Sequence, residues 1–133
     1  MGSSRVIVLD SQMWIWFHRG DPRLPENVRD EIRRLRERVS ISAVTIWEVA
    51  LATQKGRIVS AVAPEEMVLS WLRTVPMNVV PLDVEIALLS RTLPFEHEDP
   101  ADRFIAATAH RLGAPLATGN APLTALPWLK TIS

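Results

Sequence analysis

The chain has 133 residues, 47% of them hydrophobic, with 15 Lys and Arg against 15 Asp and Glu. That is apolar material for one core at a length typical of one domain, and the zero net charge excludes a protein that coats nucleic acid by bulk electrostatics. The absence of cysteine excludes disulfides, thiolate zinc, iron–sulfur clusters and thiol nucleophiles, so any metal must meet oxygen ligands or His18, His97 and His110.

The first apolar run, Val6 to Leu9, reads as a strand covered on both faces. The segment before it, Met1 to Arg5, followed by only four apolar residues, is too short for a signal peptide. A short apolar helix over Ser11–Phe17 is stopped by Gly20, Asp21 and Pro22. A second helix is predicted from Glu26 to Arg38, with Val28, Ile32, Leu35 and Val39 on one stripe. Its arginines, Arg29, Arg33, Arg34, Arg36 and Arg38, form either a solvated face or a phosphate-facing rim. Val39–Val44 alternates as a second strand and leads into a helix from Thr45 to about Gln54, closed by Gly56. Pro64-Glu65-Glu66 opens a fourth helix, with Pro in the first turn and acids at the positive end of the dipole. Val79–Leu82 is a third strand, after which Asp83 caps a helix carrying Ile86, Leu88 and Leu89. Asp99-Pro100 starts another helix that runs to Gly113. Pro115–Thr118 is a fourth strand, and a fifth falls within Trp128–Ile132. This alternation argues an α/β fold with a mainly parallel central sheet in a single domain over residues 1–133. No run reaches the roughly 18 apolar residues of a membrane span, so the expectation is a soluble, cytoplasmic chain.

In such sheets ligands bind beyond the carboxyl ends of the strands. Asp10 follows the first strand directly, where a carboxylate is costly unless solvated or paired; the alternative is a loop Asp capping the helix at Ser11. Glu48 lies in the helix after the second strand among Val44, Ile46, Trp47, Val49 and Ala50, and so is expected to point into a polar cleft. Asp99 and Asp102 bracket Pro100. Asp99 suits an N-cap, while Asp102 is either the third-position acid of a capping box or a ligand. Asn120 follows the fourth strand and is either a turn residue or a neutral oxygen ligand. Three or four oxygen donors at neighbouring strand ends suit Mg²⁺ or Mn²⁺. Carboxylates that close repel in a desolvated cleft unless a cation joins them. Metal-assisted phosphodiester hydrolysis is chemistry such a set can perform.

Four segments in this order resemble a known family. They are Val-Leu-Asp-Ser followed by an apolar helix with Trp16; Ser42-Ala43-Val44-Thr45-Ile46-Trp47-Glu48; His97-Glu98-Asp99-Pro100-Ala101-Asp102-Arg103-Phe104-Ile105-Ala106; and Leu116-Ala117-Thr118-Gly119-Asn120. Together they resemble a PIN-domain protein of the VapC toxin type. The resemblance implies a three-layer α/β/α sandwich, a Mg²⁺- or Mn²⁺-dependent endoribonuclease, an antitoxin partner and a homodimer. Carried over by position, Asp10, Glu48 and Asp102 are the catalytic and metal-binding acids, Asp99 and Asn120 are further metal candidates, and Ser11 supports them. Two positions depart from the pattern: Asn120 stands where an acid is common, and Gln12 where histidine is. The first departure keeps open a PIN module that binds RNA or a protein without cutting. Two other Asp-after-strand folds lack support. A haloacid-dehalogenase-like phosphatase needs a second Asp at Gln12, and a receiver domain needs an acidic pair before Asp10. Met13, Trp14, Ile15 and Phe17 are expected as an exposed apolar face for a partner. The tryptophans are expected mainly in core or subunit contacts, and His97 and His110 at helix flanks without a ligand role.

Overall fold

The computed structural model describes residues 6–133; the N-terminal segment read above as too short for a signal peptide lies outside them. The first strand, β1 (Ile7–Leu9), is fully buried, as its uninterrupted apolar sequence requires. Beside it run β2 (Val39–Ser42), β3 (Asn78–Val80), β4 (Leu116–Ala117) and β5 (Thr131–Ile132), all parallel in the order β3-β2-β1-β4-β5. Ile7 pairs with Val39 and Leu9 with both Ile41 and Ala117. Chain order proceeds outward from β1 through β2 to β3, then resumes on the other flank with β4. The sheet therefore switches direction at the β1/β4 boundary, where a crevice opens at the carboxyl edge.

Side chains alternate across a strand, and this splits the core into two layers. Ile7 and Leu9 pack with Val39 and Ile41 against the helices α1 (Ser11–Arg19), α2 (Glu26–Leu35), α3 (Ala43–Gln54) and α4 (Pro64–Thr74). Val8 faces the other way, onto Ile105, Ala106 and Ala109 of α6 (Pro100–Leu112). Val80 meets Ile86 of α5 (Val84–Thr92) and Ala107 on that same side. The result is the three-layer α/β/α sandwich with a central parallel sheet. Among the described residues no helix is long and apolar enough to cross a membrane.

Several boundaries differ from those predicted, each for a local reason. The second strand ends at Ser42 rather than Val44, because the Ser42 hydroxyl accepts the Val44 N–H at 3.0 Å and starts α3 two residues early. Helix α2 stops at Leu35: Arg36 takes a left-handed φ of 51° and a 3₁₀ turn over Arg36–Arg38 feeds the chain into β2. No glycine or proline announces that break. The third strand ends at Val80, since Pro81 has no N–H to offer a ladder. A one-turn helix, α7 (Ala121–Thr124), was not foreseen; Asn120 caps it and Pro122 lies in its first turn.

The partner-face expectation also changes. Met13 and Trp14 are buried, and Ile15 and Phe17 are partly buried against the same core. Trp14 meets Trp71 edge to face at 5.2 Å, and His18 stacks on Trp71 at 4.8 Å. Burial lowers the His18 pKa to about 4, so the ring is neutral near pH 7. It fills an aromatic nest rather than a ligand position. The exposed large apolar side chains are instead Trp47, Leu82, Val84 and Leu88, among others.

Helix α6 ends on Gly113 at φ 63°, whose N–H reaches the Ala109 and His110 carbonyls. A methyl there would meet no atom within 4 Å, so its cost is conformational alone. Gly113→Ala is therefore expected to lose about 1–2 kcal/mol. A thermal melt should show Tm lower by about 4–8 °C; an unchanged Tm would mean that the αL cap carries no strain for alanine.

Candidate active site

The cleft at the switch point has a volume of about 420 Å³ and is lined by Asp10, Ser11, Gln12, Trp16, Glu48, Asp99, Asp102, Gly119 and Asn120. Every site candidate read from the sequence reaches this one cavity. They arrive from several elements: Asp10 from the end of β1, Ser11 from α1, Glu48 from α3, Asp99 and Asp102 from the start of α6, and Asn120 from the turn after β4.

Asp10 caps α1, its Oδ1 accepting the Met13 N–H at 2.8 Å. Capping and cleft lining, posed above as alternatives, coexist. Burial raises its pKa; the Thr118 hydroxyl and the backbone N–H groups of Met13 and Gln12 oppose the rise, and the Asp102 charge adds to it. Glu48 is half-buried and accepts a hydrogen bond from the Ser11 hydroxyl. That donation uses the only proton on Ser11 Oγ, so Thr45 Oγ1, 3.0 Å away, donates to Ser11 in turn. Glu48 also has its pKa raised, chiefly by desolvation and then by Asp102, Asp99 and Asp10, against the Ser11 bond.

Asp102 shows the same direction: desolvation raises it, the His97 bond opposes, and the Asp99 charge adds. The ring nitrogen Nε2 of His97 lies 2.7 Å from Asp102 Oδ2. His97, Asp99 and Asp102 offer ligand atoms within 4.8 Å of one another. Reading His97 as a helix-flank residue thus missed its place at the site. Asp99 is exposed at the rim, and its Oδ1 accepts the Asp102 N–H at 3.1 Å as the cap of α6. Asn120 turns its Oδ1 to the Leu123 N–H at 3.3 Å and its Nδ2 to Asp102 Oδ2 at 3.4 Å.

A second groove, of about 520 Å³, shares Ser11, Gln12, Trp16 and Glu48 with the cleft. It continues past Arg19, Arg23, Arg57 and Trp47. The guanidinium of Arg23 sits 5.2 Å from the Trp16 ring and pairs with Asp21 at 2.7 Å. Among the described residues, Arg19, Arg23 and Arg57 are the arginines that line this groove. Arg33, Arg34, Arg36 and Arg38 lie at the end of α2 and in the turn entering β2, on the amino edge of the sheet. They form no rim to the cleft, and Arg34 pairs with Glu31 at 2.9 Å.

No curated protein matches the chain. Among solved structures it is similar to a toxin–antitoxin complex from Klebsiella pneumoniae (21% identity, TM-score 0.68, 96% of each chain covered). It is likewise similar to DNA-bound VapBC from Salmonella typhimurium (20%, 0.70, 96% and 97%) and to FitAcB from Neisseria gonorrhoeae (21%, 0.69, 96% and 97%). At such identities the likeness is one of fold, and it extends over nearly the whole chain. The sequence itself matches the PIN domain over residues 7–128. With the acids, the switch-point cleft and the sandwich in agreement, this chain belongs to the PIN domain family.

Proposed function

We propose that the chain is a Mg²⁺- or Mn²⁺-dependent endoribonuclease toxin of the VapC type, acting in the cytoplasm as one PIN-like domain and held in check by an antitoxin. The observation that carries this reading is the convergence of Asp10, Glu48 and Asp102 in one cleft at the carboxyl edge of the sheet. The donor set fits a hard divalent cation, because it is made of oxygens. The Asp102 charge raises the proton affinity of both Asp10 and Glu48, and Asp99 raises that of Asp102 and Glu48, a repulsion that a cation relieves. A bound cation would polarise a phosphoryl oxygen and make water a better nucleophile at neutral pH.

The protein's own part is orientation and proton handling. Ser11 and Thr45 fix the Glu48 carboxylate, whose raised proton affinity suits it to take a proton from an attacking water. Asp10 is locked by the α1 cap. The adjoining groove offers arginines for phosphates and the Trp16 and Trp47 indoles for unpaired bases, the pairing that favours single-stranded RNA. A protein partner, whether antitoxin or second copy, is supported by the exposed apolar side chains Trp47, Leu82, Val84 and Leu88. The toxin–antitoxin complexes among the similar folds support it further.

The test is cleavage of labelled RNA by the full chain, with and without EDTA. EDTA should stop cleavage, and excess Mn²⁺ or Mg²⁺ should restore it; undiminished cleavage in EDTA rejects the mechanism. Gel analysis of cellular RNA after induction, with Asp10→Asn as control, then identifies the RNA cut. Binding of RNA without cleavage in Mn²⁺ would favour the non-cutting module.

A further inference from the structure

Asp102 is the one acid of the cleft whose same oxygen meets two side-chain nitrogens. His97 Nε2 lies 2.7 Å and Asn120 Nδ2 3.4 Å from Oδ2, and an ionised carboxylate only accepts, so both nitrogens donate. Each donor is itself anchored. Asn120 cannot easily turn over, because its Oδ1 caps α7 through Leu123 N and its own N–H donates to Thr118 Oγ1 at 3.0 Å. His97 is held through its backbone: Arg103 Nη1 donates to the His97 carbonyl at 3.1 Å, while Arg103 Nε donates to the Ser90 carbonyl at 2.8 Å. Arg103 is buried, with its guanidinium 4.5 Å from the Phe95 ring. Trp128 closes the other side of the segment, donating to the Pro94 carbonyl at 3.1 Å and packing edge-on to Phe95.

We propose that His97 and Asn120 are positioning residues that together hold Oδ2 of Asp102, fix the plane of its carboxylate, and leave Oδ1 as the oxygen available to a cation. The inference rests on the metal-dependent reading above and adds a consequence particular to this chain. Asn120 acts as a donor, not a ligand, so the cleft takes one cation. An acid at position 120 would instead set a second carboxylate against Asp102, a repulsion that further positive charge relieves. Hydrogen-bond partners that orient a metal-binding group typically change affinity or activity 10–100-fold.

The experiment measures Mn²⁺ binding to the metal-free full chain by calorimetry, beside RNA cleavage, for the parent and His97→Ala, His97→Gln and Asn120→Asp. The parent should bind one Mn²⁺. His97→Ala should bind it about tenfold to a hundredfold more weakly, with kcat lowered and KM for RNA little changed. His97→Gln, which keeps an N–H donor, should recover part of the loss. Asn120→Asp, which removes the donor and adds a charge, should bind Mn²⁺ more tightly or take a second ion. ¹⁵N NMR of the metal-free parent should show the His97 proton on Nε2, and Asp102→Asn should shift that resonance. A second Mn²⁺ in the parent, Mn²⁺ binding by Asn120→Asp that matches the parent, or unchanged affinity in His97→Ala, overturns the positioning role while leaving the nuclease reading intact. A parent that neither binds Mn²⁺ nor cleaves RNA overturns the metal-dependent reading itself, and the positioning role with it.

Discussion

Asp10→Asn should abolish RNA cleavage and, in the metal-free protein at neutral pH, raise the melting temperature. Loss of a negative charge that helps hold a cation, which would itself stabilise the charge of the transition state, is worth several kcal/mol, a fall of about a hundredfold to ten-thousandfold in rate. The gain in stability has a separate cause. Burial is the largest influence on the Asp10 carboxyl and lifts its pKa above 3.8. A carboxyl with a folded pKa above its unfolded one binds its proton more tightly in the fold. Its contribution favours folding below the unfolded value and is lost as pH rises through the raised value. At pH 7 the buried charge is thus a burden that asparagine removes. Asparagine is also as good an N-cap as aspartate, so the bond to the Met13 N–H survives. The difference in Tm between variant and parent should shrink as the pH is lowered toward the ordinary carboxylate range. Saturating Mn²⁺ should stabilise the parent far more than the variant. A variant less stable than the parent at pH 7 without metal would show that the Asp10 charge serves the fold instead.

Trp14→Ala should be the most damaging single truncation in the first helix. The side chain has 0% exposure and packs edge to face on both His18 and Trp71. Truncating a buried Trp costs about 3–5 kcal/mol, or roughly 12–20 °C in Tm at this chain length. Trp47, with 60% exposure, supplies the contrast: Trp47→Ala should stay within about 0.5 kcal/mol in the isolated chain, as surface changes do. Matching losses in thermal melts of the two variants would refute the packing described.

These outcomes bear on what could be read from the residues alone. The strand-helix alternation was legible because each strand is a short apolar run and most helices carry their own start signal, as Asp83, Pro64 and Asp99-Pro100 do. Asp10, Glu48, Asp102 and Asn120 could be singled out for the same reason: each stands in the turn or helix that follows a strand, or at a helix start, and parallel strands bring such positions together. What escaped depends on contacts between distant segments. His97 reaches Asp102 because buried Arg103 and Trp128 bind the backbone of residues 94–97, and no periodicity encodes that. Trp14 looked available for a partner because a nine-residue apolar helix does not say which side meets Trp71. The break at Arg36 has no local signal, since a left-handed arginine is imposed by the turn into β2.

The strand order carries a consequence for the timing of assembly. Leu9 pairs with Ala117, so the middle of the sheet is stitched from segments more than a hundred residues apart in the chain. At about 5–20 residues per second, a ribosome needs several seconds or more to deliver β4 after β1. Until then β1 has one open edge, α6 lacks its place on the sheet, and Asp10 stands apart from Asp102 and Asn120. The cleft of a growing chain is therefore incomplete, because the acids come together only once residues near 120 have left the exit tunnel. Under the proposed nuclease function, chains stalled with Gly113 at the peptidyl-transfer site should cut no RNA.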